Sequence, residues 1–270
     1  MLTLGFALTC LLTLTSTNCI QSRVQFLHTA PQKIALLRVA CKPQMDYKLL
    51  GIVSLASTPL TNIVPYSQLS HNAREIVAKF TLATSQEVQL GCDWYPSALS
   101  IASRIGEKYG VSAQTVAGVI AALSPNNRWE RNIVDAEAII KCWAAGGTRT
   151  DMLNVKVCTY GKMKAKAVDI LPRDIETVEI LNGKKIIEFY NCITNPRLND
   201  VCIDGHAYSV WFGQRLTMKE VPAIGVKLRS QIKTDYRDAT TFINEELCCF
   251  FTPADIQAIT WVTHKRIHNV

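Results

Sequence analysis

From about residue 70 to the C-terminus, apolar residues recur at spacings of three and four, and almost no stretch alternates with period two, Gly51 to Leu55 excepted. A chain patterned this way buries helix stripes against other helices, so an all-α domain is expected. The predicted helices are Asn72–Phe80, capped by Asn72, and Ala98–Tyr109, led in by Trp94-Tyr95-Pro96 and stopped by Gly110. Next come a helix from Ser112 to Leu123 broken at Pro125, Trp129–Trp143 closed by Ala144-Ala145-Gly146-Gly147, and Lys162–Leu171 stopped by Pro172. Asp174–Leu181, Lys184–Ile193, Gly205–Phe212, Asp235–Phe250 and Pro253–Ile267 complete the set. With 48% hydrophobic residues in 270, the chain can bury a core. The expected division is an N-terminal extension over 1–70 and a helical domain over 71–270.

Within that pattern the segment from Glu179 to Phe212 carries the chemistry. Gly183-Lys184-Lys185 is followed, nineteen residues beyond Lys185, by Asp204. Gly183 closes a short hairpin between two helical arms at about 174–194, and the apolar run through Ile186, Phe189, Tyr190 and Ile193 follows it. A helix, a tight Gly turn and a second helix make a compact anion site, because free backbone amides and the positive end of the second helix face the ligand. Asp204 lies inside the apolar run Val201-Cys202-Ile203-Asp204-Gly205-His206-Ala207, where a carboxylate is costly to bury without a role or a partner. Capping of the helix that begins at Gly205 is one such role.

These residues resemble the helix-hairpin-helix DNA glycosylases of base-excision repair, in which a hairpin ending Gly-x-Lys is followed by Val-x-Asp-x-His. The lysine at position 185 makes the 8-oxoguanine and endonuclease III branches the nearer likeness. Two further segments extend it. Val119-Ile120-Ala121-Ala122-Leu123-Ser124-Pro125-Asn126-Asn127, with Trp129 and Asn132, is similar to the helix and Asn-bearing loop that such enzymes push into the duplex. Tyr160 to Leu171 is similar to the helix after it, so the resemblance spans roughly residues 86 to 265.

The resemblance implies an all-α fold of the glycosylase type that removes a damaged base, oxidised bases among the candidates, flipped out of duplex DNA, with AP-lyase activity as an added option. Asp204 would stabilise the positive charge developing on the sugar, and Lys185, made neutral by partial burial, would attack it to form a Schiff base. With a passive Lys185 the enzyme would be a monofunctional glycosylase using water. Asn126, Asn127, Leu181, Asn182, Gly183, Lys184 and His206 would contact DNA or support the contact. Family hairpins usually read Leu-Pro-Gly-x-Gly-x-Lys, whereas Glu179-Ile180-Leu181-Asn182 precedes Gly183 here. Gly205 stands where many members carry Thr, Val or Arg. Only Cys248 and Cys249 occur where the iron–sulfur motif would lie, so no cluster is expected and the hairpin could hold a monovalent cation at most. Double-stranded DNA is the expected partner, with no stable protein partner, no membrane, a monomeric state and an intracellular location.

Charge does not decide the matter. The net +7 suits a nucleic-acid binder, but residues 1–85 hold 7 basic and 2 acidic residues and residues 86–270 hold 22 and 20. DNA affinity must therefore come from a local patch, for which Lys162, Lys164, Lys166, Lys184 and Lys185 are candidates, although the first three also read as a solvated helix end. Residues 1–22 carry no charged side chain, and the Thr-containing apolar stretch from Leu2 to Leu14 fits a secretory signal, an organelle presequence or a poorly structured extension. The ten cysteines include no CxxC pair, and those in apolar helical contexts read as free thiols in a reducing compartment.

The remaining candidates have structural readings beside functional ones. His264 and His268 are four apart on a helix, a spacing that binds zinc, but no third ligand is near and no metal is expected. Trp94, Tyr95, Tyr190, Trp211 and Trp261 read mainly as core, with one available to stack on a base, while Trp129 and Asn132 read as packing and helix-surface residues. His206 would brace the loop around Asp204 by hydrogen bonding. Two other functions fit parts of the chain: a non-catalytic helix-hairpin-helix DNA-binding protein, and a secreted helical protein with paired cysteines.

Overall fold

The computed structural model describes residues 65–172, 177–195 and 199–269. Helices take up 72% of these and no strand occurs among them, so the domain is all-α. The alternation at Gly51–Leu55, the N-terminal 1–64 and the first residues of the hairpin arm, 173–176, lie outside the described residues.

A 3₁₀ turn at Tyr66–Gln68 precedes α1, His71–Thr81. The cap of α1 is Ser70, whose Oγ accepts from the Ala73 amide at 2.9 Å, and not Asn72 as expected. Asn72 instead donates to the Trp211 carbonyl at 2.9 Å. Helix α2, Ser85–Tyr109, starts at a capping box of Thr84 and Glu87 and stops at Gly110 in the left-handed region. It runs through Pro96, where the sequence pattern predicts a break. Proline costs the helix an N–H, but Val88, Gly91 and Tyr95 are buried before it and Ala98 and Ala102 after it, so packing carries the helix across.

Helix α3, Ala113–Leu123, capped by Ser112, is buried over every residue from Val116 to Leu123. Around it pack α2, α4 (Trp129–Ala144), α6 (Gly161–Ile170), α7 (Thr177–Ile180) and α8 (Lys184–Thr194). Short helix α5, Arg149–Asn154, was not expected; its signal is the Thr148-to-Asp151 capping box. The second group is α1 with α9 (Gly205–Phe212), α10 (Val226–Leu247) and α11 (Pro253–His268). Helix α10 begins at Val226, nine residues ahead of the predicted Asp235, because its first turns bear mostly polar residues that meet buried carboxylates rather than an apolar core. Helix α11 lies against α2 on one side and against α1, α9 and α10 on the other, so it is shared by both groups. None of the described helices is long and apolar enough to cross a membrane.

Candidate active site

A cleft of about 670 Å³ opens between the two groups of helices, within the range of small-molecule sites. Lys185 from the start of α8 and Asp204 from the N-terminus of α9 both line it. Their placement follows from local sequence. Gly183, at φ +101°, turns the chain sharply at a backbone angle that side chains disfavour, and α8 begins at Lys184. Asp204 caps α9, its Oδ1 accepting from the Ala207 amide at 2.8 Å. Asp204 thus caps α9 and also lines the cleft.

The segment carrying Asp204 is held to α8 by a buried ion cluster. Glu188 Oε2 accepts from the Ile203 amide at 3.1 Å, Arg229 donates to Glu188 and to the Ile203 carbonyl, and Lys233 bridges Glu188 at 2.8 Å and Asp200 at 2.5 Å. Burial drives the Glu188 carboxyl above its ordinary range, and the two cations work against that. No signal of period or motif marks Glu188; it was missed because its partners lie on another helix.

Much of the remaining cleft wall is aromatic. Trp94 stands 5.4 Å from Trp129 and 4.9 Å from Trp261, centroid to centroid, and Phe189 lies 6.4 Å from Trp129. Trp94, Tyr95, Trp129 and Trp261 thus face the cleft, whereas Tyr190 and Trp211 are core. Tyr95 donates to Gln257 Oε1 at 2.7 Å, and burial drives its phenol well above the ordinary value, so it stays protonated. Lys265 places its Nζ 4.5 Å above the Trp261 ring, and Arg128 and Glu130 complete the rim.

Several expectations need correction. Lys185 is exposed, so the partial burial that was to neutralise it is not found. Leu181, expected at a contact surface, is buried in the core instead. Asn182 is exposed and is held by the Lys166 ammonium. Asn127 lines the cleft, while Asn126 sits at the exposed corner of the loop at φ +55°. Asn132 is buried, not on the helix surface; its Nδ2 donates to the Ile120 carbonyl at 3.0 Å. His206 lines the cleft and braces α9 through ring contacts with Trp261 and His264 at 6.5 and 5.7 Å.

The loop 124–128 is anchored from behind. Buried Asp135 accepts from Asn127 Nδ2 at 3.1 Å, from Arg131 Nε at 2.7 Å and from the Cys158 amide at 2.7 Å. The Oδ1 atoms of Asn127 and Asn132 are buried without a partner among the described residues. Cys202, also in the cleft wall, has its thiol driven well above the ordinary value by burial, which removes it as a nucleophile. Cys142, Cys158, Cys192, Cys202 and Cys248 are free thiols. His264 and His268 stand 4.4 Å apart, and among the described residues no three His, Cys, Asp or Glu gather to hold a metal ion.

The model of a family of unknown function, DUF7178, matches residues 62–269. No curated protein matches the chain, and no solved structure does.

Proposed function

We propose that this chain, which belongs to the DUF7178 family, is a DNA glycosylase that extrudes a damaged base into the tryptophan-lined cleft and breaks its glycosidic bond. The observation that carries the reading is that Lys185 and Asp204, nineteen residues apart, line one cleft whose other wall is three indoles. A nucleotide needs both kinds of surface: an aromatic wall on which a base stacks, worth about 1–3 kcal/mol per base, and cations at the mouth for its phosphates. Trp94, Trp129 and Trp261 supply the first, and Lys185, Lys265 and Arg128 the second.

In this mechanism the base enters beside Trp129 and Trp261, and the C1′ carbon comes to lie near Asp204. As the glycosidic bond lengthens, its electron pair leaves with the base and positive charge grows on the sugar. Asp204 uses Oδ1 to cap α9, which leaves Oδ2 to face that charge. The Asn127 oxygen, without a partner among the described residues, lowers the cost of shifting the loop when a nucleotide enters, since the shift opens it to new donors. The exposure of Lys185 favours the monofunctional version, in which water completes the substitution and Lys185 contacts phosphate. In the bifunctional version its amine, having lost a proton to solvent, bonds to C1′.

Incubation with duplexes containing 8-oxoguanine, uracil or thymine glycol, followed by alkali and separately by borohydride, tests the proposal. Base release that disappears in Asp204→Asn supports it, and a borohydride adduct that disappears in Lys185→Ala assigns the bifunctional version. Duplex binding without release from any lesion would make the protein a non-catalytic DNA binder.

A further inference from the structure

Lys184 and Lys185 are neighbours in the chain and line different hollows. Lys185 belongs to the tryptophan cleft, and Lys184 to a second hollow of about 490 Å³ between α8 and α10. Successive side chains of a helix point about 100° apart, so the paired lysines at the start of α8 serve both of its flanks.

The second hollow has an excess of positive charge. Lys184, Arg229, Lys233 and Arg237 line it against Glu188 and Asp200. The two carboxylates are already engaged by Arg229 and Lys233, which are themselves largely buried and fixed by them. Lys184 and Arg237 are exposed, and among the described residues Arg237 Nε donates to a neutral acceptor, the Asn199 carbonyl, at 3.3 Å. An internally neutralised floor thus carries two cations with no ion-pair partner among the described residues, and the Ser230 hydroxyl lies in the same hollow.

We infer that this hollow takes a backbone phosphate of the strand whose extruded nucleotide enters the cleft, which rests on the function proposed above. Helix α8 separates the two hollows. A helix is about 10 Å across, so the phosphate held belongs to a neighbouring nucleotide of the strand and not to the extruded one. Lys184 and Arg237 do the neutralising, and Arg229 and Lys233 hold the floor in shape.

The test is the salt dependence of binding to a fluorescent duplex, measured by anisotropy for the wild type, Lys184→Ala/Arg237→Ala, and a control pair, Lys141→Ala/Lys156→Ala, which lines neither hollow. Loss of that one phosphate contact lowers the slope of log K against log salt by about 1 and weakens binding roughly tenfold at 0.1 M salt. The control pair should keep the wild-type slope. Both mutated positions are exposed, and circular dichroism checks that helix content is retained. An unchanged slope in the hollow variant overturns the inference and leaves the glycosylase reading standing. A reduced slope with no base release from any lesion does the reverse. Inorganic phosphate exchanged for chloride at constant ionic strength should compete with the duplex in the wild type and not in the hollow variant, and competition that persists unchanged in the variant would overturn the inference.

Discussion

The Ile203 amide donates to Glu188 Oε2 at 3.1 Å, across fifteen residues of sequence. Glu188 stands one turn beyond Lys185 on α8, and Ile203 immediately precedes Asp204. One buried carboxylate therefore fixes the distance between the two elements that carry the candidate catalytic pair. Arg229 doubles the link by donating to the same Glu188 oxygen at 2.5 Å and to the Ile203 carbonyl at 3.2 Å.

Replacing that carboxylate should loosen the pair before it touches any chemistry. The Glu188 side chain is 3% exposed, and Glu188→Gln leaves Arg229 and Lys233 without their shared counter-charge. Breaking a buried pair from one side costs about 3–5 kcal/mol, read from urea unfolding, and amide exchange at Ile203 and Asp204 should rise with it. A loss below about 1 kcal/mol would show that the cluster does not hold the Asp204 segment.

Asp204 separates cap from charge. Asparagine caps helices as well as aspartate does, whereas alanine does not. Asp204→Asn should stay within a few tenths of a kcal/mol of the wild type, while Asp204→Ala should lose about 1 kcal/mol of stability. Base release should fall at least a hundredfold in both, since one well-placed electrostatic group contributes roughly that much. Wild-type release by Asp204→Asn would remove the carboxylate from the mechanism.

Helices α2 and α11 approach closely at Gly91. A Cβ there would lie 2.6 Å from the Ile259 Cα and backbone nitrogen, so the helices must part to admit it. Gly91→Ala should cost about 1–3 kcal/mol by overpacking, and since α11 carries Gln257, Trp261 and Lys265 into the cleft, it should also reshape the site. Gly161→Ala is the contrasting case: nothing lies within 4 Å of its Cβ, and stability should hold or rise slightly. Thermal or urea unfolding of the two variants decides it.

What was legible in the sequence is what depends on neighbours in the chain. Ser112, Gly110 and the Gly205–Phe212 helix were readable because caps, stops and apolar spacing are local. Asp204 was readable as a carboxylate without a reason to be in an apolar run. Pro96 misled because the packing that carries α2 through it comes from residues far along the chain. The polar first half of α10 misled for the related reason that its partners, Glu188 and Asp200, lie on another element. Trp129 and Asn132 carried no mark that separates a cleft wall from ordinary packing, and the gathering of three tryptophans from α2, α4 and α11 exists only in three dimensions.

Acid should weaken the fold through His264. Its ring is 1% exposed and its Nδ1 is buried without a partner among the described residues. Burial first, then the positive charges of His268, Lys79, His206 and Arg215, lower its pKa from 6.5 to about 4. Because the folded value lies below the unfolded one, the unfolded chain takes up a proton that the folded chain refuses between those limits. Stability from this group is complete above about pH 6.5 and drains away as pH falls toward 4, by something of order 2 kcal/mol at about 1.4 kcal/mol per unit and allowing for relaxation. Urea unfolding at pH 7.5 and 4.5 should show the wild type losing about that much more than His264→Gln. Equal losses in the two proteins would exonerate His264. Because His206 stands 5.7 Å from His264 and lines the cleft beside Asp204, the same titration should disturb the site before the fold is lost.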